Sequence, residues 1–149
     1  QIGKMILWLN SQGGEEIKLF INSDGGSISA GLDIYDIVKY SKAPVNGIVY
    51  RRANSMATIV LQACVRRTAM SHSIFSFHNT VLSLMTEWDE FEDKSKNRLK
   101  EIKDFQEEIY KILTIRSTIE AERIKEICKR KLTLSASQMK AFGLIDEII

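Results

Sequence analysis

The chain has 149 residues, of which 44% are hydrophobic and 27% are charged. That length is enough for one domain that buries about 70% of the surface of its unfolded chain, so we treat residues 1–149 as a single domain. A net charge of +2 does not favour nucleic acid or an anionic membrane as a partner, and no apolar run reaches the ~20 residues of a membrane-spanning helix.

The first half of the chain alternates predicted helices and strands. Residues 2–10 have the apolar spacing of a helix rather than of a signal peptide, so we expect that an N-terminal piece is missing. Residues 17–22 predict a strand buried on both faces, and residues 27–40 predict a helix. A second strand over 45–50 leads to a helix that begins after Ser55. This order favours an α/β fold with parallel strands.

The middle of the chain changes in composition. Residues 66–71 and 74–79 predict two more short strands. Between 87 and 116, 16 of 30 residues are charged and none is Gly or Pro, while the apolar residues recur at helical spacing. We expect a long amphipathic helix, which either lies on its own domain or serves as an assembly surface.

The C-terminal part predicts shorter elements. Thr118 is a candidate cap for a further helix, and 131–134 predict a short strand or an extended link. Residues 135–143 predict a short helix closed by a glycine, and 144–149 a final strand. The two cysteines suit neither a disulfide framework nor a metal site, so we expect no metal and a reducing, cytoplasmic location.

Ser55 lies where a predicted strand meets a predicted helix. A hydroxyl on such a tight turn can project outward, and the first N–H groups of the helix have no partner within it. A serine nucleophile needs an exposed oxygen and donors for the oxyanion. The alternative is that Ser55 only caps the helix.

Two other segments could complete such a site. The glycines at 25 and 26 follow a predicted strand and can present bare N–H groups, which together with the Met56 N–H would form an oxyanion hole. Histidine is the usual base for a serine hydroxyl. His72 lies in a polar turn, where we expect it to be solvated. His78 lies within a predicted strand. It could be the base, or it could be a structural histidine.

In combination, these segments resemble the proteolytic subunit of the Clp protease family, and the resemblance covers nearly the whole chain. The segments that carry it are LFINSDGGSISAGLDIYD at 19–36, ANSMA at 53–57, FHN at 77–79, LSA at 134–136 and AFGLIDEI at 141–148. The resemblance implies a crotonase/ClpP-like ααβ fold with a long protruding amphipathic helix. It implies Ser55 as the nucleophile, His78 as the general base, and the N–H groups of Gly26 and Met56 as oxyanion donors.

The resemblance also implies a function and partners. The chain would be a serine endopeptidase subunit of a self-compartmentalising protease that hydrolyses unfolded proteins to peptides. Identical subunits would form heptameric rings, and two rings would stack through the long helix. An AAA+ unfoldase would use ATP and feed in substrates, so the chain itself would need no cofactor. Nucleic acid and membranes would not be partners.

Three positions depart from the family pattern. Counting back from Ser135 places Lys131 where the family has the third triad residue, an aspartate. Lysine cannot accept a hydrogen bond from imidazole, and its charge disfavours the imidazolium. Arg51 and Asp24 stand where the family has a glycine and a proline. The glycine-rich strand that the family has after the histidine is not evident at 80–86.

Three functions therefore stay open at this point. In the first, the chain is an active peptidase whose histidine is oriented by a backbone carbonyl or by another carboxylate; Asn79 is less suitable, because its side chain would point to the opposite strand face. In the second, the chain is a non-catalytic Clp-like ring subunit with an incomplete triad. In the third, it is a crotonase-fold enzyme acting on acyl-CoA thioesters, which would not need Ser55 and His78 together.

Overall fold

The structure, a computed structural model, describes residues 1–13, 15–80 and 91–149. These residues form six helices and six strands. The elements are α1 (Ile2–Ser11), β1 (Ile17–Ser23), α2 (Ile28–Tyr40), β2 (Val45–Asn54), α3 (Met56–Ala63), β3 (Arg67–Ala69), β4 (Ile74–Ser76), α4 (Phe91–Thr114), α5 (Ala121–Arg130), β5 (Thr133–Ser135), α6 (Ala136–Ala141) and β6 (Glu147–Ile148).

Strand β2 is the centre of the sheet. β1 pairs with it in parallel along one edge, while β3 and β4 pair with successive parts of the other edge, also in parallel. β6 extends the sheet beyond β3 in parallel, and β5 pairs with β4 in antiparallel orientation. The predicted α/β fold is thus confirmed, with a mixed sheet in which β4 and β5 form the antiparallel pair.

Two strands differ from their predicted form. β1 is buried on one face only: Ile17 and Ile21 are buried, whereas Phe20 is 61% exposed. β1 has one strand neighbour among the described residues, and the buried face alone reaches the core. β2 continues to Asn54 instead of ending at residue 50, because β4 pairs with its last three residues.

The main core surrounds α3. Every residue of α3 is buried, which fits its almost uniformly apolar sequence. Side chains from β4, from the end of α4, and from α5 and α6 pack around it in one cluster. This packing fixes the start of α3, and therefore the position of Ser55, against the sheet.

Helix α4 is buried at its C-terminal end and exposed nearer its start. Its last turns are buried through Ile109, Ile112 and Leu113, so this end lies on its own domain. Residues 98–101 are exposed, including Leu99 at 46%. Residue 87, where this helix was predicted to begin, lies outside the described residues. The segment 81–86, where no glycine-rich strand was evident from the sequence, also lies outside them.

The C-terminal elements agree with the prediction except at one cap. Ser135 and Gln138 form a reciprocal capping box at the start of α6, and Gly143 has a φ of +69° after it. Thr118, however, does not cap α5, since the N-cap is Glu120. The Thr118 hydroxyl instead donates to the Ala141 carbonyl. None of the helices in the described ranges is long and apolar enough to cross a membrane.

Candidate active site

Ser55 connects β2 to α3 with an unusual backbone conformation. Its φ of +50° and ψ of −125° fall in a region that non-glycine residues rarely adopt, and such strain costs about 1–3 kcal/mol and is common at functional sites. The Ser55 side chain makes no capping hydrogen bond to α3, so the interpretation of Ser55 as a mere helix cap is wrong. The hydroxyl has no hydrogen-bond partner in the part of the chain that the structure describes.

The position of Ser55 is fixed by the strand beside it. Its backbone N–H donates to the Ser76 carbonyl at 2.6 Å, which continues the parallel pairing of Asn54 with Ser76. The next residue, Met56, begins α3, and an N–H in the first turn of a helix has no partner within that helix. Ser55 therefore presents its hydroxyl next to an available backbone donor.

The glycine loop lies directly against this junction. A Cβ placed on Gly25 would lie 2.8 Å from the Ser55 Cβ and 3.0 Å from the Met56 nitrogen, so only glycine allows this approach. The Gly25 N–H already donates to the Ser23 hydroxyl at 3.1 Å. A Cβ on Gly26 would meet no atom within 4 Å, so the space beside this second glycine is open.

An apolar pocket of about 280 Å³ adjoins the loop. Gly25, Gly26 and Met56 are among its lining residues, together with residues of α1, β1, α2 and α3. There is thus open space beside the predicted oxyanion donors, although Ser55 and His78 are not among the residues that line this pocket.

Asp24 ties the glycine loop to the end of β2. Its Oδ1 accepts hydrogen bonds from Arg52 Nη1 at 3.1 Å and from Asn54 Nδ2 at 3.0 Å. Both donors precede Ser55 closely in the chain. The resemblance implies a proline at this position, whereas this chain has a carboxylate with two partners. Sequence reasoning identified the substitution but not this role, because the partners lie 28 and 30 residues away.

His78 lies outside a strand, which corrects the prediction that placed it within one. β4 ends at Ser76 because β2, its partner, ends at Asn54 where the chain turns into α3. The alternation of the strand nevertheless persists: Phe77 is buried and His78 is half-buried. The other histidine, His72, lies in an exposed turn, as predicted.

The His78 ring is oriented by a backbone carbonyl. Its Nδ1 lies 2.7 Å from the Asn79 carbonyl oxygen. Because a carbonyl oxygen can only accept, this contact needs a proton on Nδ1, and the neutral ring then has its free lone pair on Nε2. Such a tautomer is the one required of a base that takes a proton through Nε2.

The strand registers relate Ser55, His78 and Lys131. Ser55 follows the carboxyl end of β2, and His78 lies two residues beyond the end of β4, the strand beside it. In the antiparallel pair, Ser76 faces Thr133, and Lys131 lies two residues before this pairing begins. Lys131 is exposed, with a left-handed φ of +52° at the end of α5. Among the described residues, its side chain makes no hydrogen bond or ion pair.

The structure offers no obvious place for a metal ion. Among the residues it describes, no group of three or more His, Cys, Asp or Glu side chains could hold one. The thiols of Cys64 and Cys128 are buried, and burial raises the pKa of each to about 12. Neither thiol is therefore available as a thiolate ligand or nucleophile near neutral pH.

Known proteins resemble this chain along its whole length. The family model for Clp protease matches residues 1–149. An ATP-dependent Clp protease proteolytic subunit of Cyanophora paradoxa is 30% identical over 99% of this chain and 75% of its own length. A subunit of the same description from Bacteroides thetaiotaomicron is 30% identical over 97% of this chain, which spans 65% of that relative.

The fold agrees with these relatives. A solved structure of a ClpP1 mutant from Listeria monocytogenes has a TM-score of 0.87 and 25% identity, covering 99% of this chain and 81% of that one. The predicted ClpP-like fold is thus confirmed, and the acyl-CoA alternative is not favoured. The chain belongs to the Clp protease family, as a peptidase subunit of the ClpP type.

Proposed function

We propose that the chain is a serine endopeptidase subunit in which Ser55 attacks the scissile carbonyl. His78 takes the hydroxyl proton through Nε2, and the N–H groups of Gly26 and Met56 stabilise the oxyanion. The observation that carries the proposal is Ser55 itself: its backbone is strained, its hydroxyl makes no hydrogen bond among the described residues, and it packs against a glycine loop that leaves open space beside Gly26.

The third member of the proposed triad is a backbone carbonyl. The Asn79 oxygen holds the His78 tautomer but carries no charge, so it stabilises the imidazolium less than an aspartate would. Loss of the aspartate from a serine triad costs about 10⁴-fold in rate, chiefly through the wrong tautomer. Because this chain keeps the tautomer, we expect a peptidase that is slower than a full triad but well above background.

The proposed substrates and partners follow from the family. Relatives are described as proteolytic subunits of an ATP-dependent protease, which supports a ring of identical subunits supplied by an AAA+ unfoldase. We propose heptameric rings stacked in pairs through α4, whose residues 98–101 are exposed. ATP is then used by the unfoldase alone, unfolded proteins are cut to peptides, and the reducing cytoplasm is the location that suits the two buried thiols.

Lys131 favours a second candidate function. It stands four residues before Ser135, where the resemblance places the triad aspartate, and a positive charge there would disfavour the imidazolium that forms during attack. A chain disabled in this way would be a non-catalytic subunit that shapes the ring.

A fluorophosphonate probe on the assembled protein separates the two functions. We expect labelling of the wild type on Ser55, located by peptide mass spectrometry. Ser55→Ala should abolish both labelling and hydrolysis of an unfolded protein. Ser29→Ala, a matched change of an exposed serine on α2, should abolish neither. An unlabelled wild type, beside a known serine peptidase that is labelled in the same tube, would refute the peptidase and support the non-catalytic subunit.

A further inference from the structure

Helix α4 holds the two residues that follow His78. The Tyr110 hydroxyl donates to Asn79 Oδ1 at 2.7 Å, and the Thr80 backbone N–H donates to Gln106 Oε1 at 2.6 Å. Gln106 and Tyr110 are four residues apart, so they lie on the same face of the helix. The segment 78–80 is therefore fastened to α4 at two consecutive residues.

Asn79 links this helix to the base. Its side chain accepts the hydrogen bond from Tyr110, while its own carbonyl oxygen faces His78 Nδ1. A carbonyl can orient the ring only while its peptide unit keeps one direction, and the Tyr110 contact restrains the residue that carries it. We infer that Tyr110 is a positioning residue for the His78 base and acts through Asn79. The inference rests on the proposed function.

Tyr110 is suited to act as a steady donor. It is 9% exposed and belongs to the main core. Burial, with smaller contributions from Cys128 and Glu107, raises the pKa of its hydroxyl, against the opposing effect of the bond to Asn79. Lys125 Nζ lies 5.9 Å from the centre of its ring. The hydroxyl therefore keeps its proton through the pH range in which a histidine base operates.

The direction and length of the hydrogen bond to His78 should affect the rate more here than in a triad with aspartate. A carboxylate attracts the imidazolium through its charge, whereas a neutral carbonyl depends on the direction and length of one hydrogen bond. A catalytic group has to be held within about 0.5 Å and 10–20° of its productive position. Loss of the restraint should thus lower the rate of attack while leaving peptide binding unchanged.

The first test is Tyr110→Phe in the assembled protein, which removes the hydroxyl but keeps the ring. A hydrogen bond of this kind contributes about 0.5–1.5 kcal/mol, so we expect kcat to fall about two- to thirteenfold with KM unchanged. The rate at which a fluorophosphonate labels Ser55 should fall by the same factor. Tyr35→Phe is the matched control: Tyr35 is a half-buried tyrosine packed against the same core, and the kcat of this variant should stay at the wild-type value.

The second test is Asn79→Ala, alone and combined with Tyr110→Phe. Asn79 is exposed, so its change does not threaten the fold, and we expect a similar fall in kcat. The double variant should fall no further than Asn79→Ala alone, whereas independent structural effects would multiply. Wild-type kcat in Asn79→Ala, or multiplied losses in the double variant, would overturn the inference. An unlabelled wild type would instead refute the proposed function itself.

Discussion

Gly25→Ala tests whether the glycine loop belongs to the catalytic site. The added Cβ would lie 2.7 Å from the Asn54 carbonyl oxygen and 2.8 Å from the Ser55 Cβ. Ordinary contacts begin near 3.4 Å, so the loop and the serine would have to separate by about 0.6–0.7 Å. The atoms that have to move are those that position the nucleophile and the Met56 N–H.

The expected loss in the free energy of unfolding of Gly25→Ala has two parts. Gly25 has a φ of +96°, and an alanine in a left-handed conformation costs about 1–2 kcal/mol. Overpacking adds about 1–3 kcal/mol, for a total loss of about 2–5 kcal/mol in the free energy of unfolding. A misplacement approaching 1 Å, or the loss of one oxyanion donor, lowers kcat by about 10²-fold.

Gly13→Ala provides the control, because it has the strain without the clash. Gly13 has a φ of +79°, and a Cβ there would meet no atom within 4 Å. We expect it to lose only about 1–2 kcal/mol and to keep wild-type kcat. Chemical denaturation gives the stabilities, and hydrolysis of a fluorogenic peptide gives kcat. If folded Gly25→Ala keeps kcat within threefold of Gly13→Ala, the loop does not hold the oxyanion and the proposed site is wrong.

Two further predictions concern charge. Lys131→Asp should raise kcat at least about tenfold, by supplying a carboxylate where the resemblance places the triad aspartate, in a left-handed position that Asp tolerates; a rate equal to that of Lys129→Asp, an exposed neighbour, would contradict this. At Asp146, partial burial acts to raise the pKa, but hydrogen bonds and charge from Arg67, with charge from Arg116, hold it below its usual value. The stability from Asp146 is therefore complete above the ordinary carboxyl pKa and lost as pH falls through the folded value. Unfolding curves from pH 7 to 3 should show a smaller loss on acidification for Asp146→Asn than for the wild type, and a parallel response would refute this.

Most helices and strands could be predicted because the apolar spacing and the capping residues within each segment favour the same secondary structure. The apolar spacing of α1 and the uniformly apolar α3 leave few alternatives, and the capping box at Ser135 is encoded within four residues. The burial of β1 was predicted wrongly because apolar content does not reveal whether both faces of a strand are covered by other elements. Phe20 reads as a core residue in sequence, yet it projects from the exposed face of an edge strand.

For the candidate site, the sequence indicated separate residues but not the contacts between them. Ser55 and Gly26 were identified from their places after strands, since the carboxyl ends of parallel strands meet at one edge. The carbonyl contact to His78 was left as one of several alternatives, because sequence does not give backbone direction beyond the end of a strand. Tyr110 was assigned only to a helix, and its bond to Asn79 spans 31 residues.

The proposed substitutions at Asp24 and Lys131 would share a physical consequence. At position 24, where the resemblance implies a proline, the turn is held by two hydrogen bonds from β2. At the histidine, where the resemblance implies a triad aspartate, we propose that the ring is oriented by a carbonyl whose residue is tied to α4. In both places the geometry depends on contacts between separate elements. Activity in this chain should therefore be more sensitive than stability to changes in those contacts, because exposed hydrogen bonds contribute little to folding while small displacements strongly affect catalysis.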